Sequence, residues 1–251
     1  HGGREDAHPV PGAPRVIAIP LCPDRAEDWD DYVRSHPHGW FWHTTDWLRY
    51  QVAYRRGNVD CSFMLLDDDA RIRASAPLIL HTPPAGRPEF SYSGDPCAEP
   101  LASTDEYAAA LVAAHQYVSM RYLVAASPFA SPSSGGDIHT RQRVIDLPAI
   151  WSDVRDSYKA IINGALRSNR VDVYHSEDTD HAVVGFARYQ SLHVRLNPDA
   201  RPMETYRLQA EWMLEPHRAL IVVLSDGRID WGAAYWIVYK HCAYYASGCY
   251  A

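Results

Sequence analysis

Four cations, Arg155, Lys159, Arg167 and Arg170, recur at spacings that bring them to one side of a helix read over 151–170. At about 100° per residue they fall within an arc of roughly 120°. Trp151, Val154, Tyr158, Ile161, Ile162 and Ala165 fill the adjoining arc. Such a side is either a solvated cationic face beside a core stripe, or a clamp for substrate phosphates or carboxylates. The planar guanidinium fork suits the second task. Lysine occurs only at Lys159 and Lys240, and the other 22 basic residues are arginine.

A second group with chemical potential is Tyr235, Tyr244, Tyr245 and Ser247. Strict alternation along a strand puts Tyr245 and Ser247 on one face and Tyr244 on the other. Their hydroxyls either pack in a core or orient an amine or an acyl carbonyl. Glu211 and Asp230 are candidate bases by position. Trp47 and Tyr50, with His43, either line a cleft or form core at helical spacing.

His36, His38 and His43 read as loop histidines or, if they converged with Asp46, as a metal site. His241, Cys242 and Cys249 are a weaker metal possibility, and no metal is expected. No G-x-S-x-G elbow, G-x-x-x-x-G-K-[ST] loop or G-x-G-x-x-G turn occurs, which lowers serine hydrolases and the common nucleotide-binding classes.

The elements that would hold these residues are legible in the pattern. Apolar runs predict strands over 15–20, 61–66, 71–80, 89–92, 121–126, 141–148, 171–176, 219–224, 229–240 and 241–250. Helices are predicted over 26–34, 46–54, 105–120, 151–170, 178–195 and 201–217. Thr44 or Thr45 caps the second of these and Thr104 the third. Tyr107, Leu111, Ala114 and Val118 share one face of the third. Two hairpins resemble each other: LLDDDARIRASAPLIL and VLSDGRIDWGAAYWIV both place Arg-Ile after an acidic turn. An internal duplication follows as the expectation, with a flexible leader over 1–14, a first unit over 15–149 and a second over 150–251. The second unit stops one strand past its hairpin, so an incomplete copy is expected.

Composition bounds the rest. The 251 residues are 47% hydrophobic and 22% charged, an ordinary globular balance. A net charge of −7 argues against general nucleic-acid or membrane binding, although a local basic patch could still hold a phosphate. Five cysteines without a C-x-x-C pair argue against a disulfide framework or a structural zinc site. No apolar run reaches the roughly 18 residues of a membrane span, so a cytoplasmic protein is expected.

Four segments together resemble the FemAB-type branch of the GNAT acyltransferase superfamily: GWFWHTTDWLRY, then VIDLP with SYKAIINGALRSNRVDV, then SLHVRLNPDARPMETYRLQAEW, then VVLSDGRIDWGAAYWIVYKHCAYYASG. The resemblance covers about 15–251. It implies an α/β (α+β) fold of two GNAT-like units with mixed, mostly antiparallel sheets flanked by helices, and a substrate cleft between or beside them. It also implies transfer of an aminoacyl group from aminoacyl-tRNA, or of an acyl group from another donor, to a peptide-like or small-molecule amine. Arg167 and Arg170 are the cations it favours for substrate binding, with Lys159, Trp47, Tyr50, Tyr244 and Ser247 beside them. Tyr235, Tyr245 and Glu211 are the catalytic candidates. No tightly bound cofactor is implied, only aminoacyl-tRNA or acyl-CoA as co-substrate. The chain departs from the pattern where a donor pyrophosphate would sit. The turn PCAEPLASTDE before the 105–120 helix is Pro-rich and acidic, not Gly-rich and basic. An acyl-CoA-dependent N-acyltransferase and a binding module without catalysis therefore stay open beside aminoacyl transfer.

Overall fold

The two acidic turns close two antiparallel hairpins, each through its aspartate. In this computed structural model, which describes residues 15–82, 86–94, 98–121, 152, 154–198, 201–240 and 242–251, Asp67 Oδ1 accepts from the N–H of Asp69 (3.0 Å) and of Arg71 (2.9 Å). Asp226 Oδ1 accepts from the N–H of Arg228 and of Ile229, both at 2.8 Å. Local hydrogen bonds of this kind favour a turn over a continued strand. They also hold both carboxyls below their ordinary range, Asp67 chiefly through Arg71 N–H and Asp226 chiefly through Ile229 N–H.

By contact density the chain divides into His1–Val52 with Arg56–Thr140, and Ala53–Arg55 with Arg141–Ala251. The first unit runs Ile17–Pro20 (β1), Ala26–Ser35 (α1), Thr45–Tyr54 (α2), Asn58–Asp60 (β2), Phe63–Leu66 (β3), Ile72–Ala76 (β4), Leu78–His81 (β5), Glu89–Tyr92 (β6), Leu101–Ala102 (β7) and Asp105–Arg121 (α3). Its sheets have the orders β1-β3-β4-β7 and β2-β5-β6, antiparallel throughout. Leu111 of α3, with Tyr107, Ala114 and Val118 beside it, packs on Phe63, Leu65, Ala74 and Leu78. The apolar face read from the sequence is the face that is buried.

The second unit runs Asp156–Ser168 (α4), Arg170–His175 (β8), Thr179–Leu196 (α5), Met203–Leu214 (α6), Ala219–Ser225 (β9), Asp230–Tyr239 (β10) and Cys242–Tyr250 (β11). Its sheet is antiparallel in the order β11-β10-β9-β8. Each unit therefore has a first strand, two helices, a hairpin paired with that first strand, and a fourth strand on the hairpin's outer side. The fold is α+β, with antiparallel sheets flanked by helices. The expected strands over 121–126 and 141–148 and the leader over 1–14 lie outside the described residues. No described helix is long and apolar enough to cross a membrane.

Two expectations about the basic helix are corrected. The described helix spans Asp156–Ser168, not 151–170. Arg155 precedes it with extended ψ (140°), and Asn169 ends it at φ −134°, ψ 158° while its Nδ2 donates to Ala165 O at 2.9 Å. An Asn that bonds the backbone behind it competes with further helix, so Arg170 becomes the first residue of β8. The four cations thus do not share one helical face. The stripe beside them is not core either: Tyr158, Ile161 and Ile162 are 58%, 66% and 36% exposed. Trp151 lies outside the described residues.

Candidate active site: an arginine-lined pocket of the second unit

The pocket is built from three neighbouring elements. In β8 the alternation of RVDVYH sends Asp172 and Tyr174 to the face that α5 covers and Val171 and Val173 to the other. Asp178 starts α5 by accepting from His181 N–H at 3.1 Å. The buried stripe Ala182, Gly185, Phe186, Tyr189, Leu192 and His193 then lays the helix on the sheet. Arg188 and Arg195, seven residues apart, emerge together beside that stripe. Gly185 is required where it stands, because a Cβ there would lie 2.3 Å from Cγ of Tyr174. Its absence lets the Tyr174 ring lie against the helix, where the hydroxyl accepts from Arg188 Nη1.

Arg188 is the hub. Its Nε donates to Asp230 Oδ2 (3.0 Å), its Nη2 to Asp230 Oδ1, and its Nη1 to Asp172 Oδ2 (2.7 Å). Asp172 Oδ1 accepts from Arg170 Nε at 2.6 Å. The Arg188 side chain is 25% exposed and that of Asp172 15%. The hydrogen bonds to Asp230 and then those to Asp172 hold the Arg188 guanidinium more firmly protonated than usual, against partial desolvation. Those from Arg188 and then Arg170 hold the Asp172 carboxyl below its ordinary value. Because the native carboxyl titrates lower than the unfolded one, it contributes stability above the usual carboxylate range. That contribution disappears as pH falls through the native value. The stability lost on acidifying from pH ~5 to pH ~2 is expected to be smaller in Asp172→Asn than in the unaltered chain, read from urea midpoints. An unchanged pH slope would show that the pairing has no energetic weight.

These residues line a hollow of about 500 Å³ that also includes Arg195 and Arg228. Among the described residues, Arg195 Nη2 donates to the backbone oxygen of Asp230, at 3.2 Å. Arg228 sits at the turn fixed by Asp226, and its guanidinium has no hydrogen-bond or ion-pair partner among the described residues. Four arginines against two aspartates leave two positive charges in excess. A chain of net charge −7 has concentrated cations here.

Of the residues singled out from the sequence, the pocket brings together Arg170 and Asp230. Arg167 is exposed on α4. Lys159 Nζ donates to Asp156 Oδ1 at 3.3 Å. Glu211 is paired with Arg207 one turn away on the exposed side of α6. Tyr235 is 0% exposed, packs on Tyr189 and donates to Gln209 O at 2.9 Å, so its hydroxyl is committed to the core. Trp47 stacks on Tyr50 (5.1 Å, 14°) and donates to Ser93 O at 2.8 Å, both rings being buried. His43 accepts from Trp40 N–H and donates from Nε2 to Glu99 O, which makes it a structural histidine. His36 bonds Ala102 O at 3.1 Å. His241 lies outside the described residues.

The expected facing of the β11 residues is corrected by a bulge. Tyr235 pairs with Ser247, but Trp236 pairs with Tyr245, leaving Ala246 as an extra residue. Ser247 therefore faces the helices, where its Oγ meets Tyr189 Oη at 2.7 Å, and Tyr244 shares that side. Tyr245 turns to the opposite face, half-exposed, with its ring edge-on to Trp236 at 5.4 Å. The Tyr189 hydroxyl also accepts from Arg201. Arg188, Arg195, Arg228 and Asp172 were not singled out in the sequence. The signal available for the first two was their seven-residue spacing on an amphipathic helix.

No family profile matches the chain, and no curated relative matches it. Among solved structures it is similar to one titled "Crystal structure of FemX", with a TM-score of 0.52, 12% identity, and coverage of 94% of this chain and 80% of that one. That likeness is one of fold.

Proposed function

We propose that the chain is a transferase that moves an aminoacyl group onto an amine acceptor, drawing it from aminoacyl-tRNA. The observation that carries this reading is the FemX-like fold over nearly the whole chain. It agrees with the FemAB-type resemblance of four ordered sequence segments, and a cation-rich pocket lies in the second unit. The chemistry asks little of the protein. An ester-linked acyl group reacts directly with an amine, so no protein nucleophile is needed. Positioning, a path for the amine proton and a donor to the developing oxyanion suffice. Arg170, with Arg195 and Arg228, would hold an anionic part of a substrate while the reacting groups meet nearby. Such an enzyme would work in the cytoplasm on a small or peptide-like amine.

The test offers purified protein labelled aminoacyl-tRNA and labelled acyl-CoA in parallel, each with a panel of lysine-containing peptides and small diamines. Label from the tRNA ester appearing on an acceptor amine is the expected result. Label from acyl-CoA alone would replace the donor with the thioester. Transfer from neither would overturn the reading.

A further inference from the structure

The pocket separates its arginines by what they already hold. Arg188 is engaged through all three nitrogens: four hydrogen bonds and a ring contact tie it to both oxygens of Asp230, to Asp172 and to Tyr174, leaving it as framework. Arg170 shares Asp172 and is 71% exposed. Arg195 donates to one backbone oxygen, and the Arg228 guanidinium has no hydrogen-bond or ion-pair partner among the described residues. Three guanidinium groups with donors to spare thus come from three elements: the start of β8, the second half of α5 and the β9–β10 turn. All three line one hollow.

Geometry and charge select the ligand. A carboxylate has two oxygens, which one guanidinium fork satisfies. A hollow rimmed by three forks matches a group with three peripheral oxygens. The excess of two positive charges matches the −1.5 to −2 that a terminal phosphate carries near neutral pH. Ser191 and Ser225, which also line the hollow, add hydroxyls that can donate.

We propose that this pocket is a phosphate site, with Arg170, Arg195 and Arg228 as its ligands and Arg188 as the positioning residue that sets Asp172 and Asp230 behind them. On the transferase reading, on which the assignment rests, the phosphate belongs to a co-substrate. The 5′-terminal phosphate of an RNA and the terminal phosphate of a free nucleotide present the same chemistry.

Sodium pyrophosphate is titrated into the full chain by calorimetry at low salt, beside malonate as a dicarboxylate. Pyrophosphate is expected to bind and malonate to bind far more weakly. Arg195→Gln and Arg228→Gln are each expected to weaken pyrophosphate roughly tenfold or more, the scale of a charged hydrogen bond. Arg34→Gln, an exposed arginine of α1, is expected to leave it unchanged. Thermal melts that overlay the unaltered chain keep misfolding out of the comparison. Competition by ADP assigns the site to a nucleotide, and competition by a short 5′-phosphorylated oligoribonucleotide alone assigns it to the end of an RNA. Either outcome supports the site. Absence of pyrophosphate binding, malonate binding as tightly, or affinity unmoved by both substitutions overturns it. Labelled transfer is followed in the same variants. Transfer that survives both with unchanged KM leaves the transferase intact and removes the phosphate site. Phosphate binding in a protein that transfers nothing does the reverse.

Discussion

Arg188→Met is expected to lower folding stability by about 2–4 kcal/mol, because it leaves two partly buried carboxylates facing each other without their shared cation. The loss of attraction is the smaller part. Asp172 would retain Arg170, but Asp230 would lose both of its side-chain hydrogen bonds. Urea unfolding near neutral pH reads the effect. The same substitution in an Asp172→Asn, Asp230→Asn background is expected to cost much less, since no charge is then stranded. A loss below about 1 kcal/mol in the parent would reduce the network to an exposed surface pair.

Gly185→Ala is expected to destabilise by about 3 kcal/mol, the upper range for overpacking a filled site. The direction opposes helix propensity, which favours alanine over glycine by roughly 1 kcal/mol. The added carbon would fall 2.5 Å from Cβ of Tyr174, at the root of a ring that is 4% exposed. The root of a buried side chain has nowhere to swing, so α5 must move off the sheet and carry Arg188 with it. Gly164→Ala in α4 is the control. Nothing lies within 4 Å of a Cβ there, and that variant is expected to gain up to about 1 kcal/mol. Opposite signs in the two melts identify contact, not composition, as the cause. Equal signs would sink the packing argument.

The sheet and helix framework was legible because alternation and helical spacing are local properties. The repeated Arg-Ile hairpin, the α3 face and the acidic turns all followed from short windows of sequence. The pocket did not, for a physical reason. Arg188, Asp172 and Asp230 stand 16 and 42 residues apart along the chain and meet only after α5 lies on β8 and β10. The helix over 151–170 was read too long because its arginines kept helical spacing past Asn169, whose own side chain ends the turn. Tyr235 looked available because a hydroxyl carries no mark of its partner. Its partner is the backbone carbonyl of Gln209 on α6.

The extra residue in β11 carries a consequence for any related chain. Facing in a strand is a matter of parity, so one residue left unpaired at a bulge inverts every side chain on one side of it relative to strict alternation. Tyr244 and Tyr245 are adjacent and chemically identical. Pairing Ala246 into the ladder, with the bulge lost and the residue kept, would exchange the tyrosine that looks toward α5 for the one that looks away, whereas deleting Ala246 would remove the bulge and leave both facings as they are. Two chains with the same tyrosine-rich ending can therefore present different hydroxyls to the same helix, and the presence or absence of the bulge tells them apart.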